Sequence, residues 1–387
     1  MPTTVQHGST RDARSARVLI ADDQNDVLEA LRWLLSGEGY DAQFVDSTEA
    51  VMEQLRSEPF DLLLMDLNYS RDTTSGREGL DLIPRVRAID AGLPIVVMTG
   101  WGSIDMAVEA MRRGARSFVQ KPWDDVTLLE ILEREIAEGR AARRRDRKQE
   151  RELEEARLIQ RGLLPTAVPQ IPGIDLAFSW KPAEGVGGDC FDTLPFGGGA
   201  VGVSVADIAG KGLPAALLMS NLQAAVRAFA NDAAGPASIC GSVNWLLCRN
   251  MTAGRFATFC YARIDAANGR LAYANAGHNP PILVRRAGSV EDLTTGGMVL
   301  GVFPDTGYEE AELAISSGDY LVFYTDGITE SRNAEGEEYG EDRLRACASS
   351  LRGRPAEALR AAILDDVNRF NGGRFEDDAT LIVATIL

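Results

Sequence analysis

Histidine is nearly missing from this chain: His7 and His278 are the only two. A multi-histidine zinc or iron centre therefore cannot be assembled within it, and any Ser–His–Asp or Cys–His nucleophile would rest on His278 alone. Cysteine offers little more. Cys190, Cys240, Cys248, Cys260 and Cys347 form no C-x-x-C pair and leave an odd count, which argues against a disulfide framework or a zinc site and for small core residues. No apolar run approaches the roughly 20 residues of a membrane helix, and the opening MPTTVQHGSTRDARSAR has no apolar signal-peptide core. A cytoplasmic protein with no membrane partner is expected. Positive charge is also short: 40 Lys and Arg against 57 Asp and Glu leave a formal charge of −17, which disfavours nucleic acid as a partner.

What the chain does have is apolar mass and aspartate. Hydrophobic residues make up 45% and charged residues 25% of its 387 residues, the balance of a globular protein with real cores. At about 100–200 residues per domain, two or three folded units are expected. Carboxylate oxygens are enough for hard-cation chemistry, so magnesium and manganese stay open.

Between about residues 17 and 137, short apolar runs (Val18-Leu19-Ile20, Leu62-Leu63-Leu64-Met65, Ile95-Val96-Val97-Met98, Phe118-Val119) alternate with helically spaced segments such as Val27, Leu28, Leu31, Leu34 and Leu35. Buried strands alternating with amphipathic helices predict an α/β domain over 16–137 with a doubly wound parallel sheet. Arg and Glu then dominate, and a helical linker is expected over 138–165, ended by Pro165 and Pro169. Its six Arg and Lys side chains between Arg140 and Lys148 read as a solvated face of mixed charge. The weak stripe Leu153, Ala156, Ile159, Leu163 would permit pairing in a homodimer. Over 166–387, apolar or alternating strands joined by Gly-rich turns, with helical stretches near 215–230, 237–250 and 355–370, predict a mixed α+β domain without repeats.

In a doubly wound sheet the carboxyl ends of the strands converge on one crevice. Here those ends carry Asp22-Asp23, Asp66, Thr99 and Gln120-Lys121-Pro122. One such Asp is ordinarily a turn or cap residue, but all these strand ends together can hold a magnesium ion and a phosphoryl group. These motifs, and the run VMTGWGSIDMAVEAMRRGARSFVQKPW, resemble the receiver domains of two-component response regulators, especially of NtrC-type regulators. The resemblance implies a five-stranded parallel sheet, Asp66 as phosphoacceptor, Mg2+ held by Asp22, Asp23 and Asp66, and Thr99 and Lys121 as switch residues. It also implies a sensor histidine kinase as partner. The loop LNYSRDTTSGREG after Asp66 is longer than the common receiver pattern, and no ATPase or helix-turn-helix segment follows.

In the C-terminal half, acids stand beside glycine or at strand ends in Gly187-Gly188-Asp189-Cys190-Phe191-Asp192, Asp207-Ile208-Ala209-Gly210-Lys211-Gly212, Tyr324-Thr325-Asp326-Gly327 and Glu376-Asp377-Asp378-Ala379-Thr380. Each alone reads as a turn or a helix cap. Together with Asn275-Ala276-Gly277-His278-Asn279-Pro280-Pro281 and Leu163-Leu164-Pro165, they resemble the type 2C (PPM) metal-dependent protein phosphatases, in the bacterial branch that regulates sigma factors and sporulation. The resemblance implies a β-sandwich flanked by helices and two Mn2+ or Mg2+ ions that activate water against a phosphomonoester. Asp207 would bridge the ions and the Ile208 carbonyl would contact one. Asp189 would serve the first and Asp326 and Asp377 the second, with Asp378 unranked against Asp377. Its substrate would be a phosphorylated partner such as a STAS-type anti-anti-sigma factor. An arginine that binds phosphate in other type 2C enzymes has no evident counterpart; Lys181 and His278 are the candidates for that assistance.

Two motifs fail on inspection. Gly197, Gly199 and Gly202 satisfy G-x-G-x-x-G but lie between two strand patterns, and Gly210-Lys211 lacks the Ser or Thr of a P-loop. The reading is thus a phosphorylation-regulated serine/threonine phosphatase. A catalytically silent adaptor is the rival, and a complete aspartate set speaks against it.

Overall fold

The computed structural model describes residues 16–69, 77–100, 104–183, 185–251 and 254–387. His7 and most of the long loop after Asp66 lie outside the described residues. The chain divides into two compact units, Met1–Glu150 and Arg151–Leu387.

In the first unit, β1 (Arg17–Ala21), β2 (Asp41–Val45), β3 (Leu62–Asp66), β4 (Ile95–Thr99) and β5 (Ser117–Gln120) pair in the order β2-β1-β3-β4-β5, all parallel. The apolar runs form strands because both faces of the sheet are covered. Along β1, Leu19 and Ala21 pack with Val51, Ile83 and Val86. Val18 and Ile20 face the other way, onto Leu28, Leu31 and Leu35. The covering helices are α1 (Asn25–Gly37), α2 (Thr48–Ser57), α3 (Arg77–Ile89), α4 (Ile104–Arg112) and the start of α5 (Asp125–Leu163).

Helix α5 departs from expectation. It starts at Asp125, before the linker boundary expected at 138, because Leu128, Leu132 and Ile136 are buried on successive turns. Its basic stretch is not all solvated either. Arg140 pairs with Asp61 at 2.8 Å, and Arg143 pairs with Asp90 at 2.6 Å and donates to the Phe60 carbonyl at 3.0 Å. Helical spacing alone cannot show which carboxylates lie opposite.

The second unit contains β6 (Ile174–Lys181), β7 (Cys190–Pro195), β8 (Ala200–Ile208), α6 (Leu213–Phe229), α7 (Pro236–Asn250), β9 (Ala257–Asp265) and β10 (Arg270–Ala276). There follow β11 (Ile282–Val284), β12 (Val290–Asp292), β13 (Gly296–Gly297), β14 (Ala311–Ala314), β15 (Tyr320–Tyr324), α8 (Asp326–Thr329), α9 (Gly340–Ser350), α10 (Ala356–Asn371) and β16 (Ala379–Ile386). One sheet runs β13-β10-β9-β8-β7 with β14 also on β10; the other runs β12-β11-β15-β16-β6. Leu321, Phe323, Ile382 and Ala384 of the second sheet share a core with the first sheet and with Met219, Leu222, Val243 and Leu247 of α6 and α7. Tyr320, Val322 and Val383 face away, onto Leu344, Leu359 and Ile363 of α9 and α10. The result is a sandwich of two sheets between two pairs of helices. Gly197–Gly199 is a 3-10 turn in the β7–β8 hairpin, so the G-x-G-x-x-G spacing has no dinucleotide context.

Candidate active site and phosphoacceptor cluster

At the carboxyl edge of the first sheet, Asp22, Asp23 and Asp66 bring carboxylate oxygens within 4.8 Å of one another, and Asp22 and Asp66 are buried. Lys121 Nζ lies 2.5 Å from Asp22 and 3.0 Å from Asp66. The Lys121 backbone N–H donates to the Thr99 carbonyl at 2.7 Å, which sets the β4 and β5 ends side by side. Burial, opposed by Lys121, pushes the Asp22 carboxyl above its ordinary value. Every receiver residue singled out in the sequence is in this crevice or on its rim. Oxygen donors of this kind fit a magnesium ion.

The second unit's acids meet where its two sheets end. The β7–β8 ladder pairs Cys190 with Ala206, so Asp189 and Asp207 extend adjacent strands. On the other sheet, Thr325 N–H donates to the Thr380 carbonyl at 3.1 Å, which brings Asp326 and Asp377-Asp378 together. Asp189 ties the two sheets: its Oδ2 accepts from the hydroxyls of Thr325 and Thr380, both at 2.6 Å. Neither threonine was assigned a role from sequence, although both stand inside the quoted motifs.

Asp189 is 1% exposed, and its Oδ1 is buried with no hydrogen-bond partner. Burial, then the Asp207 charge, pushes its carboxyl far above the usual carboxylate range. Burial, then Asp326, Asp377 and Asp378, pushes Asp207 up to about 7. Burial, then Glu330 and Asp377, pushes Asp326 up to about 6. This cradle is short of positive charge.

Asp377 and Asp378 have different surroundings. Asp378 is buried and accepts from the backbone N–H of Gly188 at 2.7 Å and Ala183 at 2.9 Å. Asp377 is half exposed and pairs with Lys211 Nζ at 2.9 Å. The glycines make room. A Cβ on Gly187 would collide with the Asp378 carboxylate, and one on Gly327 would collide with the Asp378 carbonyl. Gln160, also missed in the sequence, is buried on α5; its amide donates to the Gly187 carbonyl at 2.6 Å and accepts from Gly187 N–H at 3.0 Å.

His278 and Lys181 are engaged elsewhere. The His278 ring is buried, with Nδ1 2.8 Å from Thr258 Oγ1 and Nε2 3.0 Å from the Tyr324 carbonyl. That carbonyl can only accept, so Nε2 carries the proton and Nδ1 accepts from the threonine. Burial lowers its pKa to about 4, leaving a neutral ring that locks its own loop. Lys181 Nζ lies 4.9 Å from the centroid of the Phe375 ring.

The donor set suits divalent cations. An orphaned carboxylate oxygen, acids with raised pKa values and glycines that let backbone approach all fit hard ions with oxygen ligands. Among the described residues, the C-terminal acids do not pack within 4.8 Å as the receiver trio does.

Residues 18–133 match the response regulator receiver domain family, and residues 197–387 match the stage II sporulation protein E (SpoIIE) family. The chain is 29% identical to phosphoserine phosphatase RsbU of Bacillus subtilis (strain 168), over 60% of this chain and 69% of that protein. It is 36% identical to response regulator protein FleR of Pseudomonas aeruginosa, over 31% of this chain but only 24% of FleR. Among solved structures, the RsbU and RsbW domains of Rv1364c from Mycobacterium tuberculosis superpose with a TM-score of 0.52 at 29% identity, over 57% of this chain and 63% of that one. The chain thus carries a response regulator receiver domain over residues 18–133 and a SpoIIE-type domain of the PP2C phosphatase type over residues 197–387.

Proposed function

We propose that this chain is a metal-dependent serine/threonine phosphoprotein phosphatase controlled by phosphorylation of Asp66. The observation that carries the reading is the buried, unpaired Asp189 oxygen near Asp207, which in turn feels the charge of Asp326, acids from distant segments held with too little positive charge. Asp189, Asp207, the Ile208 carbonyl, Asp326 and Asp377 would hold two Mn2+ or Mg2+ ions. When bound, such ions supply Lewis-acid activation of water for in-line attack on phosphorus.

The chain's own residues supply position. Thr325 and Thr380 aim Asp189 by donating to its Oδ2. Asp378, occupied by backbone amides, holds the Gly187-Gly188 turn and leaves the metal role to Asp377. Gln160 clamps the same turn from its other side. With water as nucleophile, the chemistry asks for no covalent Ser or Cys intermediate.

The likeness to RsbU, named a phosphoserine phosphatase, supports a phosphoserine or phosphothreonine protein as substrate, of the STAS anti-anti-sigma type. The receiver cluster supports a sensor histidine kinase as phosphoryl donor, with Mg2+ at Asp22, Asp23 and Asp66. Purified protein with Mn2+ should hydrolyse a phosphoserine peptide and p-nitrophenyl phosphate, and Asp326→Asn should remove both activities. A wild-type protein inactive with every divalent ion and in both phosphorylation states would instead favour the silent adaptor.

A further inference from the structure

The second unit's cradle already contains a cation, and it is part of the chain. Lys211 Nζ lies 2.9 Å from Asp377 Oδ2 and donates to the Glu376 carbonyl at 3.2 Å. Together with Gly327, Glu330 and Ser331, Lys211 and Asp377 line a cavity of about 150 Å3. The lysine's charge also reaches Asp326, where it opposes the upward push of burial and of the neighbouring acids. Asp326 and Asp377 are the two carboxylates expected to serve the second ion, so Lys211 acts on both.

The local sequence puts it there. Strand β8 is still paired with β9 at Asp207 and Ile208, opposite Thr258 and Ala257. Gly210 and Gly212 then take φ +115 and +73, conformations that favour glycine, and α6 begins at Leu213. Lys211 is the one side chain between these two turn-making glycines, and its ammonium reaches a backbone carbonyl 165 residues away in sequence. Both oxygens of Asp377 are engaged: Oδ1 accepts from the Asp378 N–H at 2.9 Å, and Oδ2 faces Lys211. A divalent ion on this carboxylate would stand about 2.1 Å from an oxygen, where ion and ammonium repel each other. The two side chains of the pair are about half exposed, so the pair is weak enough to open.

We infer that Lys211 competes with the second divalent ion for Asp377 and thereby sets how tightly that ion is held. This rests on the phosphatase reading above. Metal binding at Asp377 then requires the Lys211 side chain to swing from Oδ2 toward solvent, so the carboxylate exchanges one positive charge for two. Asp189 carries no such competitor, since its buried Oδ1 has no hydrogen-bond partner. The effect of Lys211 is therefore confined to the weaker of the two metal-binding steps.

Calorimetric titration of Mn2+ into the full chain, without phosphate or ester, tests this. Mn2+ taken up by the receiver cluster is common to all the proteins compared. Lys211→Met should tighten the weaker Mn2+ step of the second unit by about fivefold, and Lys211→Gln should do the same. Lys211→Arg, which keeps the charge, should stay close to wild type. In wild-type crystals soaked in Mn2+, Lys211 Nζ should have left Asp377 Oδ2. Unchanged or weaker Mn2+ binding in both Lys211→Met and Lys211→Gln would overturn the inference, as would an ammonium still paired with Oδ2 beside a bound ion. Failure of the phosphatase reading looks different: neither wild type nor any variant would then bind Mn2+ outside the receiver cluster, and the inference would fall with it.

Discussion

At the scale of single residues, burial decides what each polar group does. His278 is the plainest case: the free side chain titrates near 6.5, whereas burial in the fold lowers its pKa to about 4. The unfolded chain therefore binds the extra proton first as pH falls. The stability this residue contributes is complete above about 6.5 and is lost as pH falls toward 4, up to about 3 kcal/mol. A plot of Tm against pH over that window should slope down on the acid side in wild type and be markedly flatter in His278→Gln; equal slopes would show that another group carries the acid limb. The metal-ligand candidates were legible in the sequence because Asp-Gly and Asp-Asp steps at strand ends are local patterns. The distinction between Asp377 and Asp378 was not. It depends on the amides of Ala183 and Gly188, nearly two hundred residues away. Gln160 escaped for the same reason, since its only visible context was a charged helix.

At the scale of elements, hydrophobic periodicity carried most of the fold. The runs LLLMD and IVVMT are strands buried along their whole length, and the strand ends collected Asp66 and Thr99 as a parallel sheet requires. Periodicity failed on α5. Leu128, Leu132 and Ile136 mark a buried face, but the Arg-rich continuation conceals that Arg140 and Arg143 still hold the receiver. The Arg140–Asp61 pair is two-pronged, with Nε at 3.1 Å and Nη2 at 2.8 Å, and both side chains are about four-fifths buried. A double-mutant cycle of Arg140→Ala and Asp61→Ala, read by urea unfolding of the full chain, should give a coupling of about 1 kcal/mol. Strict additivity would return this stretch to the solvated face that its composition suggested.

At the scale of the whole molecule, the proposed function couples Asp66, as phosphoacceptor, to a domain of the PP2C phosphatase type. Beryllofluoride or acetyl phosphate should change the rate of p-nitrophenyl phosphate hydrolysis by wild-type protein and leave the Asp66→Ala variant unmoved. An equal response in the variant would take the receiver out of the mechanism. Among the described residues no helix is long and apolar enough to cross a membrane. All of this depends on the carboxylates of the second unit enclosing a pair of cations. Anomalous diffraction at the manganese edge, from crystals soaked in Mn2+, tests that most directly. Two peaks about 3.5–4 Å apart, bounded by Asp189, Asp207, Asp326 and Asp377, are the expected result; a cradle that stays empty at saturating Mn2+, or ions bound only elsewhere, would contradict the two-metal reading.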